Sequence, residues 1–473
     1  MEIIYQPHID REIESLIERI HPPRVCIDND SSRDCSLVKK LFDVHKQIDS
    51  ANRHGVLLGM VQVLTDLDLN ISKSYISSDG GWLMDVFHVT DQVGNKLTDK
   101  GLVHYIQEAL CEARSGKEIS SDIELQKVSV SVVNLAIELT TKDQPGLFSE
   151  ISALLLGLGF MVTSATAWTH NDRAACIIYL EDANKVGPIY NAERLAHVED
   201  ELQNVAKAGE EERKGARLKL RSFGAGRNHT ERRLHQMMCA DGDYERSGNG
   251  NKGCDGTHVS VDRYKEKGYW VVNVRSRDRP KLFFDTVCVL TDMRYDVFHA
   301  AVSSNHSIAY QEYFVRPKDS SNLDNESERQ KLTLCIIAAI ERRVSHGLKV
   351  DIRAENRIEL LSKVTHVIHE NGLSITKVQI GVEGETVVGS FYVADSSGQD
   401  VDPNIAELMR IEIGGSVVAN YSSPYMVPKS LSSSKTAMHE AQSSIQVRPR
   451  FSLGSMLWSQ LECLSNNFRP IRS

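Results

Sequence analysis
Two short stretches carry the residue types needed to hold a small zwitterion. Asp143, Pro145, Gly146 and Leu147 form one; Asn52, His54, Gly55 and Val56 form the other. Each sets an acidic or amide side chain three residues before a glycine that opens an apolar, helix-like run. Glycine lets the backbone come close to a ligand. The helix start beyond it offers unpaired N–H groups and a positive dipole end to a carboxylate, and the Asp or Asn can hold an amino group. The same D/N-x-x-G spacing is first of all good turn chemistry, and both readings stand on these residues. Two related stretches are poorer: Asp278, Arg279 and Pro280 precede Lys281, and Asn356, Arg357 and Ile358 precede Glu359. A side chain at the glycine position crowds the approach, and Glu359 repels a carboxylate.

Other chemistry is weakly represented. Gly224-Ala225-Gly226 lacks the third glycine of a dinucleotide fingerprint, and no phosphate-binding G-x-x-x-x-G-K-S/T occurs. His366 and His369 lie three apart on a helix without a cysteine or carboxylate partner, so they read as surface or core histidines. His229 and His235 are spaced wrongly to face together. The pairs Arg232-Arg233 and Arg342-Arg343 read as solvated helix faces. No catalytic residue, metal site or cofactor is expected.

The elements that must position these residues repeat. From Leu135 to Asp182 the pattern is strand, turn, helix, strand, hairpin, strand: Leu135, Ile137 and Leu139 alternate, and Leu147, Ile151, Leu154, Leu155 and Leu158 recur at helical spacing. Gly55, Gly146, Lys281 and Glu359 align as one position in four copies. Sixteen residues on stand Ile71, Val162, Val297 and Ile375. Twenty-five on are Gly80, Asn171, His306 and Gly384 in polar hairpins, and thirty-six on are Asp91, Asp182, Pro317 and Asp395, where the third strands stop. Four ungapped copies of a supersecondary unit govern the whole reading of the fold.

The pattern resembles the ACT domain, a βαββαβ module that commonly binds amino acids, and the chain is similar to plant ACT-domain-repeat proteins of the four-domain type. The resemblance rests on DSANRHGVLLGMVQVLTDL from Asp49, LTTKDQPGLFSEI from Leu139, RSRDRPKLFFDTVCVLTDM from Arg275 and ENGLSITKVQIGVEGETVVGSFYVAD from Glu370. HTERRLHQMM from His229 and RFSLGSMLWSQLE from Arg450 add to it. It implies an α+β, ferredoxin-like fold of four modules, with antiparallel sheets carrying helices on one face. Open sheet edges want pairing, so the modules are expected to lie side by side, with ligand clefts at the joints. The implied organisation is an N-terminal helical segment over 1–21 and modules over 22–114, 128–206, 268–346 and 347–428. A linker at 207–267 holds a short helix near Thr230 to Met238, and a tail at 429–473 is Ser-rich, disordered over Ser430 to Ser444, with a short amphipathic segment. Lys40 to Ile48 interrupts the first module and is expected to lengthen a loop or spoil a strand. Almost no linker separates the third and fourth modules, which predicts that these two pack as one pair.

Totals bound the rest. At 473 residues the chain has room for three or four domains. A net charge of −9 argues against general nucleic-acid affinity. Nine scattered cysteines without a C-x-x-C pair fit a reducing compartment. No secretory signal or twenty-residue apolar run is seen, so no membrane association is expected; cytoplasm is the expected compartment, and nothing in the chain excludes the nucleus. The resemblance implies a non-catalytic regulator that binds an amino acid, modulates an unidentified protein partner and self-associates through its modules. Similar modules in bacterial nitrogen-sensing uridylyltransferases sit behind catalytic domains, for which the repeats here leave no room. The alternative is a scaffold whose sheet edges pair with another protein.

Overall fold
The computed structural model describes residues 24–30, 32, 34–43, 55–77, 82–112, 134–183, 192–207, 216–223, 229–245, 256–264, 268–305, 307–318, 323–344, 347–395, 401, 403–413 and 416–421. The expected N-terminal helix and the Ser-rich and amphipathic tail segments lie outside them. In the first module stand β1 (Arg24–Asp28), β2 (Ser36–Asp43), α1 (Val56–Asp66), β3 (Asn70–Ser77), β4 (Trp82–Thr90) and α2 (Lys100–Glu112). The second has β5 (Asn134–Lys142), α3 (Leu147–Gly157), β6 (Phe160–His170), β7 (Arg173–Asp182), α4 (Ala192–Lys207) and β8 (Arg217–Phe223). A helix α5 (Thr230–Asp241) and a 3-10 turn (Asp243–Glu245) follow. The third has β9 (His258–Tyr264), β10 (Tyr269–Arg277), α6 (Leu282–Asp292), β11 (Tyr295–Asn305), β12 (Ile308–Pro317) and α7 (Glu326–Glu341). The fourth has β13 (Leu348–Glu355), α8 (Leu360–Glu370), β14 (Leu373–Glu383), β15 (Thr386–Asp395), α9 (Pro403–Ile413) and β16 (Ser416–Tyr421).

The strands form two eight-stranded sheets, β1-β2-β4-β3-β11-β12-β10-β9 and β16-β13-β15-β14-β6-β7-β5-β8. The first module therefore joins the third and the second joins the fourth. The expected pairing of the third with the fourth is wrong. Shortness of connection does not bring those two sheet edges together: Gly347, at φ +97°, turns the chain from one sheet into the other.

All junctions are antiparallel. β3 meets β11 with Tyr75 opposite Ala301, and β6 meets β14 with Thr166 opposite Gln379. Each of these four residues stands twenty positions past its aligned helix start at 55, 281, 146 or 359. Each module thus pairs with its own counterpart about a local two-fold axis, the isologous contact of a symmetric dimer made within one chain. The aligned second strands also share a bulge, just past Ile71, Val162, Val297 and Ile375.

Two modules depart from βαββαβ. In the first and third, the strand beside β2 or β10 comes from before the repeat, as β1 or β9, while β8 and β16 follow theirs. An antiparallel neighbour can be supplied from either end of the chain, and α7 runs almost directly into β13, leaving none to spare. Residues 207–267, expected to be mostly linker, accordingly hold β8 and β9. Lys40–Asp43 of the expected insertion continue β2 rather than spoiling it; the remainder lies outside the described residues.

One apolar core lies under the helices of each sheet. A third, small cluster sits on the opposite face of β6 and β7, where Leu234, Met237 and Met238 of α5 cover Trp168, Ala175 and Ile177. This explains why β7 is apolar on both faces. It also explains α6, buried at every position from Leu282 to Thr291 because it lies between its sheet and α5. At Gly347 an added Cβ would stand 2.1 Å from the carbonyl oxygen of Val393. Gly347→Ala is expected to cost about 2–4 kcal/mol of stability in denaturant titrations, from backbone strain and this overlap together.

Candidate functional site
The glycine stretch of the second module lies at the joint with the fourth. β5 ends at Lys142, and the Asp143 N–H donates to the Asp172 carbonyl of the β6–β7 hairpin at 2.9 Å. Asp278 and Asn356 make the same bond to Ser307 and Glu385, so this polar residue closes the turn in three modules. Gly146 is the N-cap of α3 at φ +81°, a conformation natural to glycine, and its lack of a side chain leaves the first turn uncapped. Across the joint, the imidazole of His369 on α8 stands 2.9–3.2 Å from where a Cβ on Gly146 would be. Asp143, Gln144, Gly146 and Leu147 border a small open cleft with His369 and Ser374. Pro145, the remaining residue of that stretch, is exposed beside it. The helices flanking the joint are tied by a buried hydrogen bond, Ser152 Oγ to Thr365 Oγ1, at 2.7 Å.

Asp143 has an unusual carboxyl group. Burial, then the charge of Asp172, push it from 3.8 up to about 6, against hydrogen bonds from Gln144 N–H and Thr169. A cation placed beside it would relieve that strain.

The other three turns differ. Gly55 caps α1 at φ +86°, nearly superposable on Gly146, with nothing within 4 Å of an added Cβ. Val56 begins that helix half-buried, while Asn52 and His54 lie outside the described residues. Lys281 keeps the left-handed conformation at φ +64°, whereas Glu359 abandons it at φ −82°. Lys281 Nζ reaches Glu231 of α5 at 3.0 Å, and Arg279 donates to the Ile340 carbonyl at 2.8 Å and pairs with Asp285 at 2.8 Å. The charged side chains of the third turn are thus paired from within the chain, with Arg279 Nε left without a hydrogen bond. Arg357 turns instead to Glu355 at the surface, at 2.6 Å.

Much of the polar chemistry centres on α5, which lies between the two sheets. Arg342 and Arg343, expected on a solvated helix face, are almost fully buried. The reason is that α5, its following turn and α6 bring carboxylates to them. Arg342 pairs with Asp243, and Arg343 with Asp285 at 2.7 Å and Glu231 at 2.9 Å. The Arg343 guanidinium lies 4.9 Å over the Trp168 ring. His235 bonds Asp285 at 2.9 Å, Arg233 holds Glu138 of β5 at 2.7 Å, and Arg173 of β7 pairs with Asp241. Burial raises the Glu231 carboxyl, but Arg343 and Lys281 outweigh it and bring the group down to about 2. His229, the N-cap of α5, reaches Asp66 of the first module at 2.8 Å, so it and His235 serve separate partners, as their spacing implies.

This network touches the cleft through one hairpin. Asp172 accepts the Asp143 N–H, Asn171 donates its amide to the Asp243 carbonyl at 2.9 Å, and His170 Nδ1 meets Asp243 Oδ2 at 2.9 Å. In the sequence His369 reads only as a surface or core histidine and α5 only as a short helix in a linker, so neither is placed at the site. The signals were the two-sided apolar run of β7 and an acidic residue, Asp285, inside an otherwise apolar helix.

Known proteins resemble this chain in sequence. Residues 35–117 match the model described as the ACR family N-terminal ACT domain. The ACT domain-containing protein ACR1 of Arabidopsis thaliana is 47% identical over the whole of both chains, and ACR3 of the same plant is 45% identical over 89% of this chain and 92% of its own. The chain belongs to the ACR family of ACT domain-containing proteins. A 92-residue stretch, 20% of this chain, is 35% identical to 9% of the bifunctional uridylyltransferase/uridylyl-removing enzyme of Azospirillum brasilense. No described helix of this ACR chain is long and apolar enough to cross a membrane.

Two outcomes are expected. Arg342→Ala leaves the buried Asp243 carboxylate with only His170 against it and should cost about 3 kcal/mol by chemical denaturation. Asp143 binds its proton more tightly folded than unfolded, so its contribution is greatest below pH 3.8 and is lost as pH rises to about 6. Asp143→Asn should therefore stabilise at pH 7 by about 1–2 kcal/mol once solvent screening is allowed for, and not at pH 3.

Proposed function
We propose that the protein is a non-catalytic sensor that binds a free amino acid between its second and fourth modules and modulates a protein partner in amino-acid or nitrogen signalling. The observation carrying this reading is Gly146, left-handed and uncapped, opposite His369 with Asp143 in the same cleft. The ligand's carboxylate takes the first-turn N–H groups of α3, helped by the dipole. Its ammonium takes Asp143, whose carboxyl is held in an environment that favours a cation. Gly55 and Val56 make a second such turn in the first module; the third and fourth turns do not serve free amino acids. Family membership supports regulation over catalysis, and the Azospirillum enzyme carries a related stretch within a much longer chain.

Titration of the common amino acids by calorimetry tests the reading. One or more should give saturable heat, and Gly146→Glu should abolish it. An ammonium needs Asp143 ionised, so affinity should hold above about pH 6 and fall up to tenfold per pH unit below it. Asp143→Asn should lose binding while gaining stability. Absence of saturable heat with every amino acid overturns the proposal.

The scaffold alternative draws on the outer strands β1, β9, β8 and β16 at the sheet ends, and on Val418 of β16, which is 50% exposed. One stoichiometric partner, captured equally with and without amino acids, would favour it.

A further inference from the structure
Two thiols outside the cleft stand together. Cys239, in the last turns of α5, has its Sγ 3.9 Å from Sγ of Cys335 on α7. Cys239 is partly exposed, while Cys335 is buried at 1%. They come from opposite sides of the contact between the connecting helix and the third module, 96 residues apart in the chain. A disulfide needs the sulfurs at about 2.05 Å, so each must move by roughly 1 Å, within reach of small side-chain rotations.

We infer that Cys239 and Cys335 are a reversible dithiol–disulfide site through which a hydroperoxide fastens α5 to the third module. The roles follow from position. Cys239, the accessible member, meets the oxidant, and Cys335 behind it resolves the product. A hydrogen bond from the Cys335 thiol, and then Arg342, bring the Cys239 thiol down to about 7 against its burial, whereas the same hydrogen bond and burial raise Cys335. The Cys239 thiolate attacks one peroxide oxygen; the O–O bond breaks, the departing oxygen takes up the proton that Cys239 released on ionising and leaves as an alcohol or water, and Cys239 becomes a sulfenic acid. Cys335 then gives up its proton and attacks that sulfur. The S–O bond breaks, water leaves with the proton, and two electrons have passed from two thiols to the peroxide. A dithiol reductant restores the pair by exchange.

The consequence lies in what else α5 holds. It grips the second module through Arg233–Glu138 and Asp241–Arg173, and the third through His235–Asp285. Oxidation pins one end of that clasp covalently, so amide hydrogens of α5 exchange more slowly.

Reduced full-length protein treated with stoichiometric hydrogen peroxide, alkylated and digested without reductant, provides the test. The free-thiol count should fall by two from nine. One cross-linked pair, containing Cys239 and Cys335 and lighter by two hydrogens, should appear and vanish with dithiothreitol. In Cys335→Ser, Cys239 should stop at a sulfenic acid that dimedone traps; in Cys239→Ser no pair should form. Nine thiols still alkylated, or a cross-link mapping to other cysteines in the unmutated protein, overturns the inference without recourse to any variant.

Discussion
A β-sheet edge presents a row of unpaired N–H and C=O groups, and each module exposes one along its second strand. The structure depends on how those four edges are satisfied. β3 meets β11 and β6 meets β14 about two local two-fold axes. Once Tyr75 is set against Ala301 and Thr166 against Gln379, the remaining geometry follows. The first helices of paired modules lie side by side, and the turn before one helix faces the end of the other. Gly146 meets His369 for that reason, though 223 positions separate them in the chain. The cleft is a product of edge pairing, not of either module alone.

The two paired units are also held to one another by charge. α5 gives Leu234, Met237 and Met238 to one small cluster and Cys239 to the edge of the first core, and its polar residues, with His229 at its N-cap, reach all of the first three modules. Buried arginines are tolerated here because each has carboxylates in direct contact and few polar hydrogens go unmatched. Such pairs add less to stability than an apolar core of the same volume, but they are directional. A helix held by Arg233–Glu138 on one side and His235–Asp285 on the other has one seat, and sliding by a residue breaks both. This specificity gives the β6–β7 hairpin its double contact, with the cleft at Asp172 and with the connecting segment at Asn171 and His170.

The four modules have diverged within this common frame. Gly55 and Gly146 retain a bare left-handed N-cap, Lys281 keeps the backbone but adds a cation, and Glu359 gives up the conformation. Lys281 accepts the strain of a positive φ while its ammonium binds Glu231. A turn suited to a free ligand in one module has become a structural contact in another.

Local chemistry made the repeat legible from residues alone. Glycine and proline punctuation, helical periodicity after Gly146 and alternation before it are short-range properties, and spacing without gaps aligned the helix starts and the second-strand positions 71, 162, 297 and 375 to the residue. The same short range explains what stayed hidden. Which edge pairs with which is a contest among four similar edges, and chain proximity of the third and fourth modules pointed the wrong way. Arg342 and Arg343 look like surface residues until Asp243 and Asp285, 99 and 58 positions away, are folded against them. Residue types and their periods determine the brick. The joints, the burial of charge and the opposition of Gly146 to His369 arise only when distant segments meet, because pairing energies are shared by parts of the chain that no local pattern connects.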